Sequence, residues 1–367
     1  MRCVVSGNEK KYKMIIDWII NEIEIGKLKN GDRVMPEEQI AKKFDLSRQT
    51  VRRAMSDLVE MKILSRVQGS GTYVGTKQEK KRNATKNIAV VSTFYDDYIF
   101  PSILKGIGGC LSENDYTMQL TFTDNRIENE RRILKDILYK NDIDGLIIEP
   151  SESNISNGNT DLYDRLFSMH IPVIFFNDIY KGLNAPCVRL DDHTAAKEAT
   201  TALLQSGHRK IAAIFKADDG QGCRRYKGYV DALSTYDIKV SRKNIFWIDS
   251  FLLKEMNEIE NYILKRIDGC TAVMCYNDEV AKQVIEMALR SGINVPDELS
   301  VISIDNSSLA TECKVPITSF DHPKEKLGRK VASNLLKMIE NPLYNGNYLF
   351  KAEAVWRDSV RKIEDEI

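Results

Sequence analysis

A regular alternation of strand-like and helical segments after residue 87 constrains the fold of this chain more than any other feature. Short apolar runs, each followed by a stretch with helical spacing, occur at residues 88–92, 117–121, 144–149, 173–176, 211–215, 272–275 and 300–304. Strands that alternate with helices form parallel sheets covered on both faces. This part of the chain is about 280 residues long, so we expect two α/β lobes rather than one.

The first 75 residues follow a different pattern. Apolar residues at three-to-four spacing predict an amphipathic helix over residues 11–25, and they are Tyr12, Ile15, Ile16, Ile19, Ile20 and Ile23. A short helix is predicted from Pro36 to Phe44, and Ser47 is placed to cap a third helix. Two strand patterns between Ile63 and Val74 are joined by a glycine-rich tip. Together these elements predict a winged helix-turn-helix, an α+β domain.

The third helix has two unlike faces. Its predicted buried side carries Val51, Ala54, Met55 and Leu58. The predicted outward side and first turn carry Arg48, Gln49, Thr50, Arg52 and Arg53. Such side chains reach base edges and phosphates from a helix in the major groove, although a solvated polar face would look the same. The hairpin tip that follows adds Gln68, Gly69 and Gly71 as candidate DNA contacts, since glycine lets the backbone approach a phosphate.

Charge and composition are consistent with a nucleic-acid-binding head on a soluble body. Residues 1–86 carry 19 Lys and Arg against 11 Asp and Glu, whereas the remaining residues carry 34 against 42. The seven cysteines are scattered, without a Cys-x-x-Cys pair, and are expected to be reduced core thiols rather than metal ligands. No run approaches the ~20 apolar residues that span a bilayer, so neither membrane insertion nor secretion is expected.

Polar residues follow the apolar runs at the points where parallel strands end. They are Glu149, Asn177, Asp178, Lys216, Asn277, Asp278 and Asp305. A single residue of this kind is most often a helix cap. Ligands of open parallel sheets bind beyond the carboxyl ends of the strands, so several of them together predict a polar cleft. Carboxylates and amides suit a ligand with many hydroxyl groups.

The N-terminal residues resemble the GntR-type winged helix. The matching stretches are Glu37, Ser47-Arg48-x-Thr50-Val51-Arg52-x-Ala54 and Gln68-Gly69-x-Gly71-Thr72-Tyr73-Val74. The resemblance implies that Glu37, Arg48, Arg52 and the glycine tip contact operator DNA. One departure concerns Pro36, which stands where the family usually has a serine that caps the second helix.

Residues 87 to about 352 resemble the sensor domains of LacI/GalR-type regulators, which are built like periplasmic sugar-binding proteins. The matching stretches include Ile171-Pro172-Val173, Gln205-Ser206-Gly207-His208-Arg209-Lys210-Ile211, Arg225-x-x-Gly228-Tyr229, Cys275-Tyr276-Asn277-Asp278 and Ser300-Val301-Ile302-Ser303-Ile304-Asp305. The resemblance places effector-binding residues at Asn177, Arg225, Asn277, Asp305 and His322.

The pairing of these two domain types resembles the arabinose-utilisation repressors. Similar stretches are Asp97-Tyr98-Ile99-Phe100-Pro101-Ser102, Asn129-Glu130-Arg131-Arg132, Asp144-Gly145-Leu146-Ile147-Ile148-Glu149-Pro150 and Phe215-Lys216-Ala217-Asp218-Asp219. This resemblance implies L-arabinose or a related pentose as the effector. It adds Tyr98, Glu149, Lys216 and Asp219 to the candidate pocket.

The resulting hypothesis is a cytoplasmic, homodimeric repressor that binds double-stranded operator DNA and is released by a sugar. The predicted domains are a winged helix-turn-helix over 8–75, a linker over 76–86 and a two-lobed sensor over 87–367. No cofactor, metal or catalytic residue is predicted. Alternatives are a regulator of another small polar ligand, a glycosidase using Glu149 and Asp305 as an acid/base pair, or a transport-binding protein.

Overall fold

The computed structural model describes residues 7–29, 31–61, 63–67, 70–75, 84–96, 98–155 and 158–363. The chain divides into two compact units. The first unit extends to Ala84 and also includes the short segment Glu340–Asn345. The second unit begins at Thr85, extends to Ile339 and resumes at Gly346.

The first unit has the order of elements expected for a winged helix. It contains α1 (Gly7–Glu24), α2 (Glu37–Phe44), α3 (Arg48–Glu60), β1 (Leu64–Val67) and β2 (Gly71–Val74). The two strands pair antiparallel, with Leu64 opposite Val74. The core contains the predicted apolar faces of α1 and α3, including the fully buried Ile15, Ile19 and Met55. The helix-turn-helix and hairpin predictions are confirmed.

The ends of α2 and α3 are held in different ways. The Ser47 side chain accepts a hydrogen bond of 3.1 Å from the Thr50 N–H, which confirms the predicted cap of α3. Pro36 precedes α2 and offers no side-chain cap. Glu37 and Glu38 lie in the first turn of α2, where a carboxylate interacts favourably with the positive end of the helix.

The second unit contains two α/β lobes, as the alternation predicted. Lobe 1 begins with β3 (Asn87–Ser92), α4 (Phe100–Ser112), β4 (Thr117–Phe122), α5 (Ile127–Lys140), β5 (Gly145–Ile148), α6 (Thr160–Ser168), β6 (Val173–Phe176) and β7 (Cys187–Leu190). Lobe 2 contains α7 (Asp192–Gln205), β8 (Ile211–Lys216), α8 (Gly220–Thr235), β9 (Ile245–Ile248), α9 (Ser250–Lys254), α10 (Glu260–Ile267), β10 (Ala272–Cys275), α11 (Asp278–Arg290), β11 (Ser300–Asp305), α12 (Leu309–Glu312) and β12 (Thr318–Asp321). Short 3-10 turns lie at Arg242–Asn244 and Met256–Ile259. The chain then returns to lobe 1 for α13 (Lys324–Glu340) and β13 (Tyr348–Phe350), and ends in lobe 2 with β14 (Ala354–Val355).

The two sheets share one strand order. Within the described residues, lobe 1 has the order β13-β7-β6-β5-β3-β4 and lobe 2 the order β14-β12-β11-β10-β8-β9. Neighbouring strands are parallel, apart from the antiparallel pair β12–β14. In each sheet the strand order reverses beside the first strand of the lobe, β3 or β8. Such a switch point opens a crevice at the carboxyl ends of the strands.

Apolar burial explains why the strands form where they do. The strands β5, β6 and β10 are buried along their whole length, as expected for parallel strands covered by helices on both faces. No helix in the part of the chain that the structure describes is long and apolar enough to cross a membrane. The six described cysteines are free thiols, as predicted, and all but Cys223 are buried.

Candidate functional sites

A polar cavity lies between lobe 1 and lobe 2, where both switch points meet. Its volume is about 100 Å³, which is less than the roughly 300–1,000 Å³ typical of sites for drug-sized ligands. The lining residues are Thr93, Phe94, Tyr98, Ile99, Phe100, Asn125, Glu149, Pro150, Ser153, Asn177, Asp178, Lys216, Asp219, Gln221, Ser250, Leu253, Lys254, Tyr276, Asn277, Glu279 and Asp305. The cavity therefore suits a compact ligand with many polar groups.

Seven of the ten residues predicted for this site line the cavity. They are Tyr98, Glu149, Asn177, Lys216, Asp219, Asn277 and Asp305. The other three, Arg225, Asp278 and His322, are buried and absent from the lining. The structure thus places Arg225, Asp278 and His322 behind the cavity wall.

Glu149 and Asn177 form the polar wall of lobe 1. The Glu149 carboxylate accepts hydrogen bonds from the Thr93 N–H at 3.0 Å and from the Asn177 amide at 2.6 Å. Burial raises the pKa of Glu149 above its ordinary value, although these hydrogen bonds and the charge of Lys216 act in the opposite direction. The Asn177 Oδ1 atom is buried and has no donor among the described residues. A ligand hydroxyl would supply that donor.

Lys216 faces this wall from lobe 2. Its ammonium group lies 3.2 Å from Asp219 and 3.5 Å from Asp218. Burial alone would lower the pKa of Lys216, but the carboxylates of Asp219, Asp218 and Glu149 together raise it. Asp219 also accepts a hydrogen bond of 2.6 Å from the Tyr276 hydroxyl. Lys216 is therefore a charged donor held in a fixed position beside the cavity.

Asp305 connects the lining to the buried Arg225. Its carboxylate accepts a hydrogen bond of 2.6 Å from Tyr98 of lobe 1 and one of 3.0 Å from the Arg225 guanidinium. Burial would raise the pKa of Asp305, but Arg225, His322, Lys324 and the hydrogen bond from Tyr98 together outweigh it, and the pKa is lowered. Arg225 also binds Asp192 at 3.0 Å and the Tyr276 carbonyl oxygen at 2.5 Å. Arg225 is therefore engaged in holding other groups of the wall.

The remaining two predicted residues, Asp278 and His322, are buried outside the cavity lining. The Asp278 carboxylate accepts hydrogen bonds from the hydroxyls of Ser303 and Ser319 and from the Ser307 N–H. His322 is fully buried, and neither ring nitrogen has a hydrogen-bond partner among the described residues. Burial lowers the pKa of His322. Neither side chain reaches the cavity.

Two of the lining residues also serve as helix caps. Asn277 accepts a hydrogen bond from Val280 at the start of α11, and Asp219 accepts one from Gly222 at the start of α8. The ordinary interpretation of a polar residue at a strand end therefore holds for both. It does not exclude a role in the cavity, because Asp219 also positions Lys216 and Tyr276.

Several lining residues were missed by the sequence interpretation. The polar ones are Thr93, Asn125, Ser153, Gln221, Ser250, Lys254, Tyr276 and Glu279. Thr93 directly follows β3 and could have been found by the strand-end rule that found Glu149. Asn125 and Ser250 lie at the starts of α5 and α9, where no residue pattern distinguishes them from ordinary loop residues.

The candidate DNA-binding face of the first unit is exposed and rich in arginine. The side chains of Arg48 and Arg52 are 70% and 71% exposed. Arg48 pairs with Glu38 at 2.5 Å, and the Glu37 carboxylate lies 3.4 Å from Arg52 and 3.0 Å from Arg66 of β1. Glu37 thus joins α2, α3 and the hairpin on one surface.

The other predicted DNA contacts have varied positions. Gln49 is exposed, and the Thr50 hydroxyl lies 2.8 Å from that of Ser47. The Arg53 guanidinium lies 5.2 Å from the centre of the Tyr12 ring of α1. Gly71 has a φ of 128°, which favours glycine. Gln68 and Gly69 lie outside the described residues.

Comparisons with known proteins identify both parts of the chain. Residues 11–74 match the bacterial regulatory proteins of the gntR family, and residues 200–360 match the periplasmic binding protein-like domain. The arabinose metabolism transcriptional repressor of Geobacillus stearothermophilus is 34% identical over 357 residues, covering 95% of this chain and 96% of that protein. The chain belongs to this repressor family. A repressor of the same name from Halalkalibacterium halodurans is 33% identical over 338 residues, covering 90% of each chain.

The fold agrees with this assignment. The transcription regulator CcpA of Lactococcus lactis superposes with a TM-score of 0.67 and 24% identity, over 75% of this repressor and 99% of that chain. The repressor thus combines a GntR-type head with a periplasmic-binding-protein-like body, and its relatives are transcription regulators.

Proposed function

We propose that this repressor binds operator DNA as a homodimer in the cytoplasm and that L-arabinose or a related pentose, bound between lobe 1 and lobe 2, releases it. The observation that carries the proposal is the convergence of polar groups from both lobes on one small cavity. Asn177 and Lys216 offer an unfilled acceptor and a fixed donor from opposite lobes. The names of the relatives in Geobacillus and Halalkalibacterium support an arabinose-related effector.

The charges around the cavity favour a neutral sugar over a phosphorylated one. The lining contains the carboxyl groups of Glu149, Asp178, Asp219, Glu279 and Asp305, but only the cations of Lys216 and Lys254 among the described residues. A phosphate would meet an excess of negative charge in a site of low dielectric. Hydroxyl groups, which both donate and accept, match carboxylates, amides and an ammonium group equally well.

The DNA interaction follows from the exposed arginines of α3. In a dimer, two α3 helices would enter successive major grooves, with half-sites separated by about 34 Å. A sugar that binds one arrangement of the lobes more tightly shifts the population toward it. The coupling between sugar and DNA binding is then expected to be about 1–3 kcal/mol.

Isothermal titration calorimetry of the full chain tests the sugar site. The ligands are L-arabinose, D-ribose, D-xylose, D-galactose and ribose 5-phosphate. We expect the tightest binding for L-arabinose and no binding of the phosphorylated sugar. Preferential binding of ribose 5-phosphate, or binding of none of the panel, would contradict the proposal.

A pair of matched variants tests the location of that site. Lys216→Met removes the buried ammonium group of the cavity, whereas Lys326→Met removes an exposed lysine of α13. The first variant is expected to weaken sugar binding by about tenfold or more, since a charged hydrogen bond is typically worth about 1.5–3 kcal/mol. The second should bind sugar like the unmodified protein. Equal affinities of the two variants would place the sugar elsewhere.

A further inference from the structure

One carboxylate of lobe 1 is bound directly by the beginning of α8 in lobe 2. Asp178 follows β6, and its Oδ2 atom accepts a hydrogen bond of 2.9 Å from the Gly220 N–H and one of 2.5 Å from the Ser153 hydroxyl. Its Oδ1 atom accepts a hydrogen bond of 2.7 Å from Arg224 and one of 2.8 Å from the Ile179 N–H. Asp178 lines the cavity, yet both its oxygens are occupied by protein donors.

This contact requires glycine at the first position of α8. A Cβ atom at Gly220 would lie 2.4 Å from Asp178 Oδ2, so the Asp178 carboxylate would have to move away from the beginning of α8. The beginning of a helix also carries partial positive charge, which favours a carboxylate there. The close approach therefore combines a steric requirement with an electrostatic attraction.

Arg224 extends the contact into a chain of ion pairs that joins two carboxylates of the cavity lining, Asp178 and Asp305. Its guanidinium binds Asp178 and also Asp192 at the start of α7, at 3.2 Å. Asp192 binds Arg225, which in turn binds Asp305 at 3.0 Å. Asp305 finally accepts the hydrogen bond from Tyr98. The chain of ion pairs runs through lobe 2 and is anchored at both ends in lobe 1.

We infer that Asp178, Gly220 and Arg224 form a latch that holds the lobes together around the sugar through hydrogen bonds between protein groups. These three are positioning residues: they supply part of the free energy of closure and so set how much sugar is needed for release. The inference rests on the proposed function of the cavity. It adds that affinity for the sugar depends on hydrogen bonds between the lobes in which both partners are protein groups.

The test compares two glycine-to-alanine variants of the full chain. Gly220→Ala introduces a methyl group into the latch. Gly108→Ala in α4 is the control, because a Cβ atom there would lie 3.5 Å from the methyl group of Met118, an ordinary contact. Titration calorimetry should show that Gly220→Ala raises the Kd for L-arabinose at least tenfold, whereas Gly108→Ala changes it less than twofold. Thermal unfolding followed by circular dichroism establishes that both variants are folded.

Hydrogen exchange without sugar provides a second, independent measurement. Asp178→Ala removes one of the two lobe 1 acceptors of the Gly220 amide, the Ser153 hydroxyl being the other. It also removes the lobe 1 partner of Arg224, so the peptide covering residues 217–226 should exchange measurably faster than in the unmodified protein. Asp161→Ala, which removes an exposed carboxylate paired with Arg131 within lobe 1, should leave that peptide unchanged. If no sugar binds, the proposed function fails while this exchange experiment still decides on the latch. Unchanged exchange in Asp178→Ala, or unchanged sugar affinity in a folded Gly220→Ala, would overturn the inference.

Discussion

At the scale of single residues, the exposed arginines of α3 are the simplest components of the mechanism to test. Arg52→Ala should weaken binding to a selected operator duplex by about tenfold or more. If Arg52 contacts a phosphate, the slope of the logarithm of the binding constant against the logarithm of the salt concentration should also become shallower by about one. Fluorescence anisotropy over a series of salt concentrations measures both quantities. Arg290→Ala removes a half-exposed arginine from α11 and serves as the control. Unchanged affinity and salt dependence in Arg52→Ala would remove α3 from the DNA interface.

The raised pKa of Glu149 predicts that the stability of the protein depends on pH. Burial raises its pKa above the ordinary value of 4.5, so the folded protein binds this proton more tightly than the unfolded chain does. The contribution of Glu149 to the free energy of unfolding is therefore fully present below pH 4.5 and is lost as pH rises through the raised pKa. Urea unfolding at several pH values should show that the free energy of unfolding of the unmodified protein falls relative to that of Glu149→Gln as pH rises. A difference independent of pH would contradict this account.

The sequence could predict which residues end the strands, but not where every side chain points. Asn177 and Asp305 were found because a polar residue after a buried strand lies at the edge of the sheet, and both line the cavity. Asp278 belongs to the same pattern, yet three hydrogen-bond donors from β11, the loop after it and β12 bind its carboxylate. Those donors are 25 to 41 residues away in the chain, so no local pattern could reveal them.

At the scale of elements, the crossing of α4 and α13 in lobe 1 depends on two glycines. A Cβ atom at Gly106 would lie 2.2 Å from the Glu325 carbonyl oxygen, and one at Gly328 would lie 2.1 Å from that of Ile103. Each helix therefore places a glycine against the backbone of the other. This close packing leaves no room for even one methyl group.

Gly106→Ala should lower the free energy of unfolding by about 1–3 kcal/mol, the usual cost of overpacking. Gly108→Ala, two residues along the same helix, should leave it unchanged or raise it by about 0.5–1 kcal/mol, because alanine favours the helix. Chemical denaturation of both variants measures the contrast. Equal stabilities would show that the two helices do not cross closely at Gly106.

The elements that the sequence predicted are those with a strong internal pattern. The strands β6 and β10 have the bounds that their apolar runs predicted, since every residue in them is buried. The edge strands β13 and β14 were missed: they have three and two residues, none of them buried. Their formation depends on neighbouring strands far away in the sequence, so hydrophobic periodicity could not indicate them.

At the scale of the whole molecule, a shift in the population of lobe arrangements links the proposed sugar site of the second unit to DNA binding by the first. The sequence predicted both units from independent signals, a helix-turn-helix with a wing and an alternating α/β body. It could not predict the chain of ion pairs from Asp178 to Asp305, because its members come from four separate segments of the chain. That chain is what relates lobe closure to the residues around the cavity.

The most direct test of the central claim is the affinity of the full chain for its operator, with and without sugar. The operator is first selected from a pool of random duplexes, and its affinity is then measured by fluorescence anisotropy at constant salt. Saturating L-arabinose should weaken binding by about 5- to 150-fold, the range expected for a coupling of about 1–3 kcal/mol, while ribose 5-phosphate should have no effect. Equal operator affinity in the presence and absence of L-arabinose and the other neutral sugars would contradict the account.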